Sequence, residues 1–236
     1  MIKRLLIVIP SYNEETALPQ LLNEIKATAF LHSFVVVPVV VNDCSKDSTE
    51  AVAKASGGAV ISLVNNLGIG GAVQAGIKYA QRNGFDYVLQ MDGDGQHPPG
   101  EVNKLLQAAL DTNADVIIGS RFLSKEGFQT SLARRLGIKY FHWLNRILTH
   151  KSIHDTTSGF RLLGIRAIKL AAAYYPDDYP EPESLIFFSR AGLSIREVPV
   201  VMRERQGGKS SIAGFATLFY MTKVTLSSVL SYVRKI

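Results

Sequence analysis

Five short apolar runs, at residues 5–9, 34–41, 59–64, 87–91 and 115–119, recur along the first half of the chain, and helical periodicity separates them. Runs that are apolar throughout suit strands covered on both faces. Strands alternating with helices build an α/β fold, a mostly parallel sheet with helices on both sides. Pro10 is expected to end the first strand, because proline lacks the N–H that a ladder uses. Ligands of such sheets bind beyond the carboxyl ends of the strands. The polar clusters 12–14, 42–43, 65–71 and 92–96, together with Arg121, all fall at those ends. Their agreement points to one ligand site.

The fourth run closes in Asp92-Gly93-Asp94-Gly95-Gln96. Two carboxylates separated by one glycine converge on one point in a turn, and glycine lets ligand phosphates come close to the backbone. A hard divalent cation, Mg²⁺ or Mn²⁺, suits that pair. It takes oxygen ligands, commonly one or two carboxylates with substrate phosphates completing its shell. Asp-Gly is also an ordinary turn dipeptide, so its weight comes from its surroundings. The glycines of Gly68-Ile69-Gly70-Gly71 follow the third strand, and Val73 stands where a dinucleotide fingerprint has its last glycine. They are expected to let a helix start pack closely on a nucleotide or a neighbouring loop.

Charge is localised. Residues 121–151 hold seven basic side chains against one acidic, which is the whole net charge of +6. That segment seeks an anionic partner. Within it Leu132, Leu136, Tyr140, Trp143, Leu144 and Ile147 form one helical stripe, and Arg135, Lys139, His142 and Arg146 form another. An amphipathic helix within residues 126–150, basic with aromatic borders, suits an anionic membrane surface. Residues 212–233 are apolar on most sides but carry Lys223 near the centre, so an interfacial or self-associating helix, giving a homo-oligomer, is expected rather than a span. The chain thus divides into an α/β domain at 1–211 and an appended helix at 212–236. Aromatic stacking platforms are missing outside the apolar stripe, which argues against nucleic acid. The lone Cys44 excludes an internal disulfide, and the first apolar run is short for a signal peptide. A cytoplasmic protein, peripheral on the inner face of the membrane, is expected.

A series of motifs runs in one order from residue 10 to 210: Pro10-Ser11-Tyr12-Asn13-Glu14, Asn42-Asp43-Cys44-Ser45-Lys46-Asp47, Asn66-Leu67-Gly68-Ile69-Gly70, the Asp92–Pro99 stretch, Gly119-Ser120-Arg121-Phe122, Thr157-Ser158-Gly159-Phe160-Arg161 and Arg205-Gln206-Gly207-Gly208-Lys209-Ser210. In these the chain resembles the inverting GT-A glycosyltransferases of family 2, of the dolichyl-phosphate mannose synthase and polyprenyl-phosphate sugar transferase type. The resemblance implies a GT-A (Rossmann-like) fold and a metal-dependent transferase with a UDP- or GDP-linked sugar donor. It also implies polyprenyl phosphate as acceptor. Transfer to a hydroxyl of a cell-surface glycan, or a catalytically silent nucleotide-sugar-binding subunit, are the alternatives. By the same resemblance Pro10, Tyr12, Glu14 and Asp43 frame the base and ribose, with Gly70 and Gly93 beside the nucleotide sugar. Asp92 takes the nucleotide side, while Asp94 and Gln96 hold the metal. Arg121 and Arg205 hold phosphates, joined at the acceptor phosphate by Arg134, Arg135 and Ser210. The sequence departs from the family pattern with Gly93 for alanine, Asn42 for aspartate and Ser211 for lysine.

The acceptor decides whether a base is needed. A phosphate monoester has a second pKa of about 6 and is already largely anionic at neutral pH. A sugar hydroxyl needs a carboxylate to take its proton. Asp155, Glu181 and Glu183 are the candidates, the last two in a proline-stiffened helix start. His97, His142, His150 and His154 lack metal-ligand spacing and receive no catalytic role.

Overall fold

The structure, a computed structural model, describes residues 2–124, 132–178, 180–204 and 216–233. Within it seven strands form one sheet: β1 (Lys3–Ser11), β2 (Phe34–Asn42), β3 (Ala59–Ser62), β4 (Tyr87–Gln90), β5 (Val116–Ser120), β6 (Arg161–Gly164) and β7 (Ile195–Pro199). Their order is β3-β2-β1-β4-β6-β5-β7, and β6 alone runs antiparallel, to both β4 and β5. The helices are α1 (Leu18–Ala27), α2 (Thr49–Ala55), α3 (Gly68–Arg82), α4 (Val102–Thr112), α5 (Leu132–Thr149), α6 (Ile165–Ala173), α7 (Pro180–Arg190) and α8 (Ala216–Val233).

Alternation along each strand sorts the core into two layers. Leu5, Ile7 and Ile9 of β1 pack with Leu18, Leu21 and Leu22 of α1 and Leu105 and Leu106 of α4. Leu6 and Val8 face the other way, onto Val73 and Ile77 of α3, Ile168 of α6 and Leu185 and Phe188 of α7. Both faces are therefore covered, as continuous apolar strands require.

Pro10 does not end β1, which continues through it to Ser11, with Pro10 opposite Val41. The Val8 carbonyl accepts from Met91 N–H, so Pro10, two residues on, also turns its nitrogen towards β4. Pairing with β4 has stopped at Gln90 by then, and the missing donor costs no ladder bond. The β6 strand has no counterpart among the five runs read from the sequence. It brings Arg161 into the sheet between two strands whose ends carry the acidic turn and Arg121.

α5 and α8 pack on α7 and on each other. The buried side of α5 is Phe141, Leu144 and Asn145, whereas Trp143 (58% exposed) and Ile147 (49%) face outward with Lys139 and Arg146. The single apolar stripe expected for α5 is thus split: two of its members share the exterior with the basic residues. α8 is reversed in polarity. It buries Val224, Ser228 and Ser231 and exposes Leu226, Val229, Leu230 and Val233, which share one helix face. Among the described residues no helix is long and apolar enough to cross a membrane.

Candidate active site

Three loops at the carboxyl ends of β1, β2 and β3 are knitted into one wall. Asn13 and Cys44 hold left-handed backbone conformations, with φ of 56° and 58°. Such values are uncommon outside glycine, and the surrounding bonds over-determine them. Asn13 N–H donates to Ser45 Oγ (3.1 Å) and Asn13 Oδ1 accepts from Lys46 N–H (2.9 Å). Glu14, buried, donates its N–H to Thr49 Oγ1 at 2.8 Å. Asp47 accepts from Thr49 N–H and Oγ1 and from Glu15 N–H. Burial raises the Asp47 pKa, but those hydrogen bonds outweigh it and hold the carboxyl below its ordinary range. Buried Asp43 reaches the third loop, accepting Leu67 N–H on Oδ1 at 2.7 Å. Tyr12 is exposed and Pro10 is buried.

Gly70 packs on a neighbouring loop. Its N–H donates to the Asp177 carbonyl at 3.0 Å, and a Cβ there would fall 1.9 Å from the Pro176 carbonyl oxygen. Of the two partners expected for this glycine, the neighbouring loop is the one in contact, because α3 starts against the segment leading into α7.

The acidic turn follows β4. Asp92 N–H donates to His97 Nδ1 at 3.1 Å, and the buried imidazole stacks on Phe160 with centroids 4.8 Å apart. An accepting Nδ1 assigns the ring proton to Nε2. His97 therefore shapes the turn. Asp94 is buried and accepts Gln96 N–H on Oδ1 at 3.0 Å, while the Asp92 side chain is 32% exposed. Gly93 lies where a Cβ would come within 2.6 Å of Ser11 Oγ. Above Asp92 is Gly159, where a Cβ would meet Gln90 Nε2 at 2.8 Å and both Asp92 carboxylate oxygens at 3.2 and 3.3 Å. The missing side chain leaves Asp92 open to a ligand. Among the described residues no three His, Cys, Asp or Glu side chains converge on one point. Two carboxylates and an open approach fit Mg²⁺ or Mn²⁺, which take their remaining ligands from phosphates and water.

Arg121 closes the opposite side. Its Nε and Nη2 donate to the two oxygens of Asp155, each at 2.7 Å, and its main-chain N–H adds a third bond at 3.0 Å. Nη2 also reaches Thr157 Oγ1 at 2.9 Å. Burial opposes the cation, yet Asp155 first, then Asp92 and Glu181, raise its pKa, so Arg121 stays charged. Asp155 is fully buried, and both of its oxygens are taken by this fork. It orients Arg121.

Glu183 is also committed elsewhere. It accepts from Tyr174 Oη at 3.0 Å and from Ser231 Oγ of α8, which ties α8 to α7. Glu181, the third carboxylate considered as base, lies near enough to Asp92 to feel its charge. Burial pushes its pKa up, partly offset by Arg161. Arg161 is buried on β6 and anchors the surroundings through main-chain oxygens: Ser158 (2.7 Å), Thr156 (2.9 Å) and Glu181 (2.7 Å), with Ser184 Oγ at 2.9 Å. Sequence reasoning gave no role to Gln90, His97, Gly159 or Arg161, although the last two sit inside the Thr157–Arg161 motif that carried the signal. The side chains of Arg134 and Arg135, and the whole of Arg205 and Ser210, lie outside the described residues.

Residues 6–169 match the family described as Glycosyl transferase family 2. The polyprenol monophosphomannose synthase of Mycolicibacterium smegmatis is 31% identical, over 90% of this chain and 82% of that protein. The undecaprenyl-phosphate mannosyltransferase of Micrococcus luteus is 31% identical, over 89% and 88%. The dolichyl-phosphate beta-glucosyltransferase of Homo sapiens is 32% identical, over 88% and 69%. Among solved structures, glucosyl-3-phosphoglycerate synthase from Mycobacterium tuberculosis, in complex with Mn²⁺, UDP-glucose and phosphoglyceric acid, superposes with a TM-score of 0.72. It is 19% identical and the match covers 98% of this chain and 79% of that one, a likeness of fold.

Proposed function

The chain belongs to glycosyl transferase family 2, and on that premise we propose that it moves a sugar from a nucleotide diphosphate sugar to a polyprenyl phosphate, with inversion at the anomeric carbon. The observation that carries the acceptor is that relatives named for polyprenyl-phosphate or dolichyl-phosphate sugar transfer match about nine-tenths of the chain. The geometry supports it. With Asp155 paired to Arg121 and Glu183 bonded to α8, Glu181 is what is left of the three candidate bases, and Arg121 is held in a fixed orientation. A phosphate nucleophile is already anionic and asks for such a fixed cation.

In the reaction an acceptor phosphate oxygen forms the new bond to sugar C1. The bond from C1 to the nucleoside diphosphate oxygen breaks, and the electron pair leaves with the diphosphate. Asp92 and Asp94, with Gln96 beside them, would hold the divalent cation, which supplies charge neutralisation to the diphosphate. Arg121 contributes a second fixed positive charge, pre-oriented and therefore without reorganisation cost as charge develops. The wall built by Tyr12, Asn13, Glu14 and Asp43 receives the base and ribose.

The lipid acceptor gives the two outer helices a purpose. The exposed Lys139, Trp143, Arg146 and Ile147 of α5 combine cationic and interfacial aromatic character. The outward apolar face of α8 supports docking on the cytosolic face of an anionic membrane. The purified protein with Mn²⁺ or Mg²⁺, labelled UDP-glucose, UDP-N-acetylglucosamine or GDP-mannose, and a short polyprenyl phosphate tests this. Label in the organic phase is expected with one donor. Donor hydrolysis with no lipid product would refute the acceptor, and failure of every donor to bind would refute the transferase.

A further inference from the structure

Arg121 is aimed at the site by Asp155, and Asp155 is itself held from behind. Glu197 lies on β7, opposite Ile118 of β5, three residues before Arg121 in the chain. Its Oε2 accepts the His154 main-chain N–H at 2.7 Å, and its Oε1 accepts the Asp155 main-chain N–H at 2.8 Å. One carboxylate thus caps two consecutive peptide donors. His154 Nδ1 sits 3.1 Å from the same Oε2, on the solvent side, while the Glu197 side chain is only 8% exposed.

A glutamate here is costly to place. Its side chain is nearly buried, so both of its oxygens must find donors inside the protein. A satisfied pair of loop amides would be cheaper with water or a neutral side chain. Two ionised oxygens give shorter, stronger bonds to both amides than one carboxamide oxygen could. The result is a peptide at 154–155 whose position is fixed to a strand, and an Asp155 carboxylate presented squarely to the Arg121 fork.

We infer that Glu197 is a positioning residue for the reaction: through the 154–155 peptide and Asp155 it sets the direction in which Arg121 presents its guanidinium. The inference rests on the proposed role of Arg121 in holding phosphate. Glu197 bonds the 154–155 peptide and His154 rather than Asp92 or Asp94, so metal binding at the acidic turn is left intact. Its loss acts on the step in which Arg121 takes part. Misplacement of a catalytic group by about 1 Å is enough to cost about 100-fold in rate.

A double-mutant cycle with a spectroscopic arm tests it. Glu197→Gln keeps the shape but offers one acceptor and a clashing N–H₂; Glu197→Asp keeps the charge but shortens the reach, and serves if the first is not recovered folded. Turnover by the donor and polyprenyl phosphate pair that the wild type uses is expected to fall by about 10- to 100-fold, with Mn²⁺ affinity unchanged within about twofold. In an Arg121→Lys background the same change is expected to cost less than about threefold, because the fork it positions is already gone. The Arg121 Nε–H resonance, identified by its absence in Arg121→Lys, is expected to exchange with solvent at least about tenfold faster in the Glu197 variant. Full additivity of the two substitutions would overturn the inference, as would unchanged Nε–H exchange. If Arg121→Lys alone leaves turnover untouched, it is the phosphate role of Arg121 that fails, and the exchange rate still decides whether Glu197 positions it.

Discussion

Gly159→Ala adds one methyl group at the point where the acidic turn is open. Its Cβ would lie 2.8 Å from Gln90 Nε2 and 3.2 and 3.3 Å from the two oxygens of Asp92. The first distance is below any sustainable contact, and Gln90 is buried, so its amide must move. When it moves it leaves its 3.3 Å contact with Asp92 Oδ1. The Asp92 carboxylate must then shift by a few tenths of an ångström. Overpacking of this kind costs about 1–3 kcal/mol, which for a chain of this size lowers Tm by about 2–12 °C. The larger effect is on chemistry: displacement of a group that holds a phosphate-bound cation lowers turnover by about 10- to 100-fold. Gly100→Ala is the matched control, because nothing lies within 4 Å of its Cβ, and it is expected to change stability by less than about 0.5 kcal/mol. Calorimetry gives the first number, and Mn²⁺ titration with UDP or GDP present, followed by turnover, gives the second. Equal behaviour of the two alanine variants in both assays would refute the claim that Gly159 keeps the space over Asp92 clear.

Four further outcomes are expected. Asp94→Ala abolishes metal-dependent turnover while circular dichroism and Tm stay near wild type; full turnover with ordinary metal dependence removes Asp94 from the site. Glu181→Gln keeps at least about a tenth of wild-type turnover, because a phosphate acceptor needs no base, whereas a fall of about 100-fold or more marks Glu181 as a general base for a hydroxyl. Asp47 is held below its ordinary 3.8, so its contribution to stability is present above about pH 3.8 and is lost as pH falls through the lower folded value. Denaturation midpoints measured from pH 7 to pH 3 should fall less steeply for Asp47→Asn, and parallel curves would contradict the sign. Leu230→Glu, on the outward face of α8, should release the protein from anionic vesicles in a flotation assay without altering Tm, and undiminished flotation would exclude that face from membrane contact.

The strand ends were legible because each apolar run closes in a polar cluster, and covered strands place those clusters on one edge of the sheet. Asp92, Asp94 and Asp43 could be found that way. Partner choice was not legible. Asp155 reads as a free carboxylate until the fold brings Arg121 to it from 34 positions away, and Glu183 reads likewise until Ser231 arrives from 48. The β6 strand escaped notice because Arg161-Leu162-Leu163-Gly164 is short and opens on a charged residue, whose charge the fold satisfies with main-chain oxygens. On α5 the apolar stripe expected from the sequence places Trp143 and Ile147 on one side with Tyr140 and Leu144. Which side of an amphipathic helix is covered depends on its neighbours, and α7 and α8 cover Phe141, Leu144 and Asn145 instead. The partner of Gly70 was not legible either, because the main chain at 176–177 reaches it from more than a hundred positions away.

The central claim is that the acceptor phosphate itself attacks the sugar carbon. Polyprenyl phosphate labelled with ¹⁸O in its non-bridging positions, turned over with a ¹³C1-labelled donor, tests it directly. An ¹⁸O-shifted C1 resonance in the lipid product, with the anomeric configuration opposite to that of the donor, is the predicted result. Retained configuration, or an unshifted C1 bonded to oxygen from another source, would contradict it.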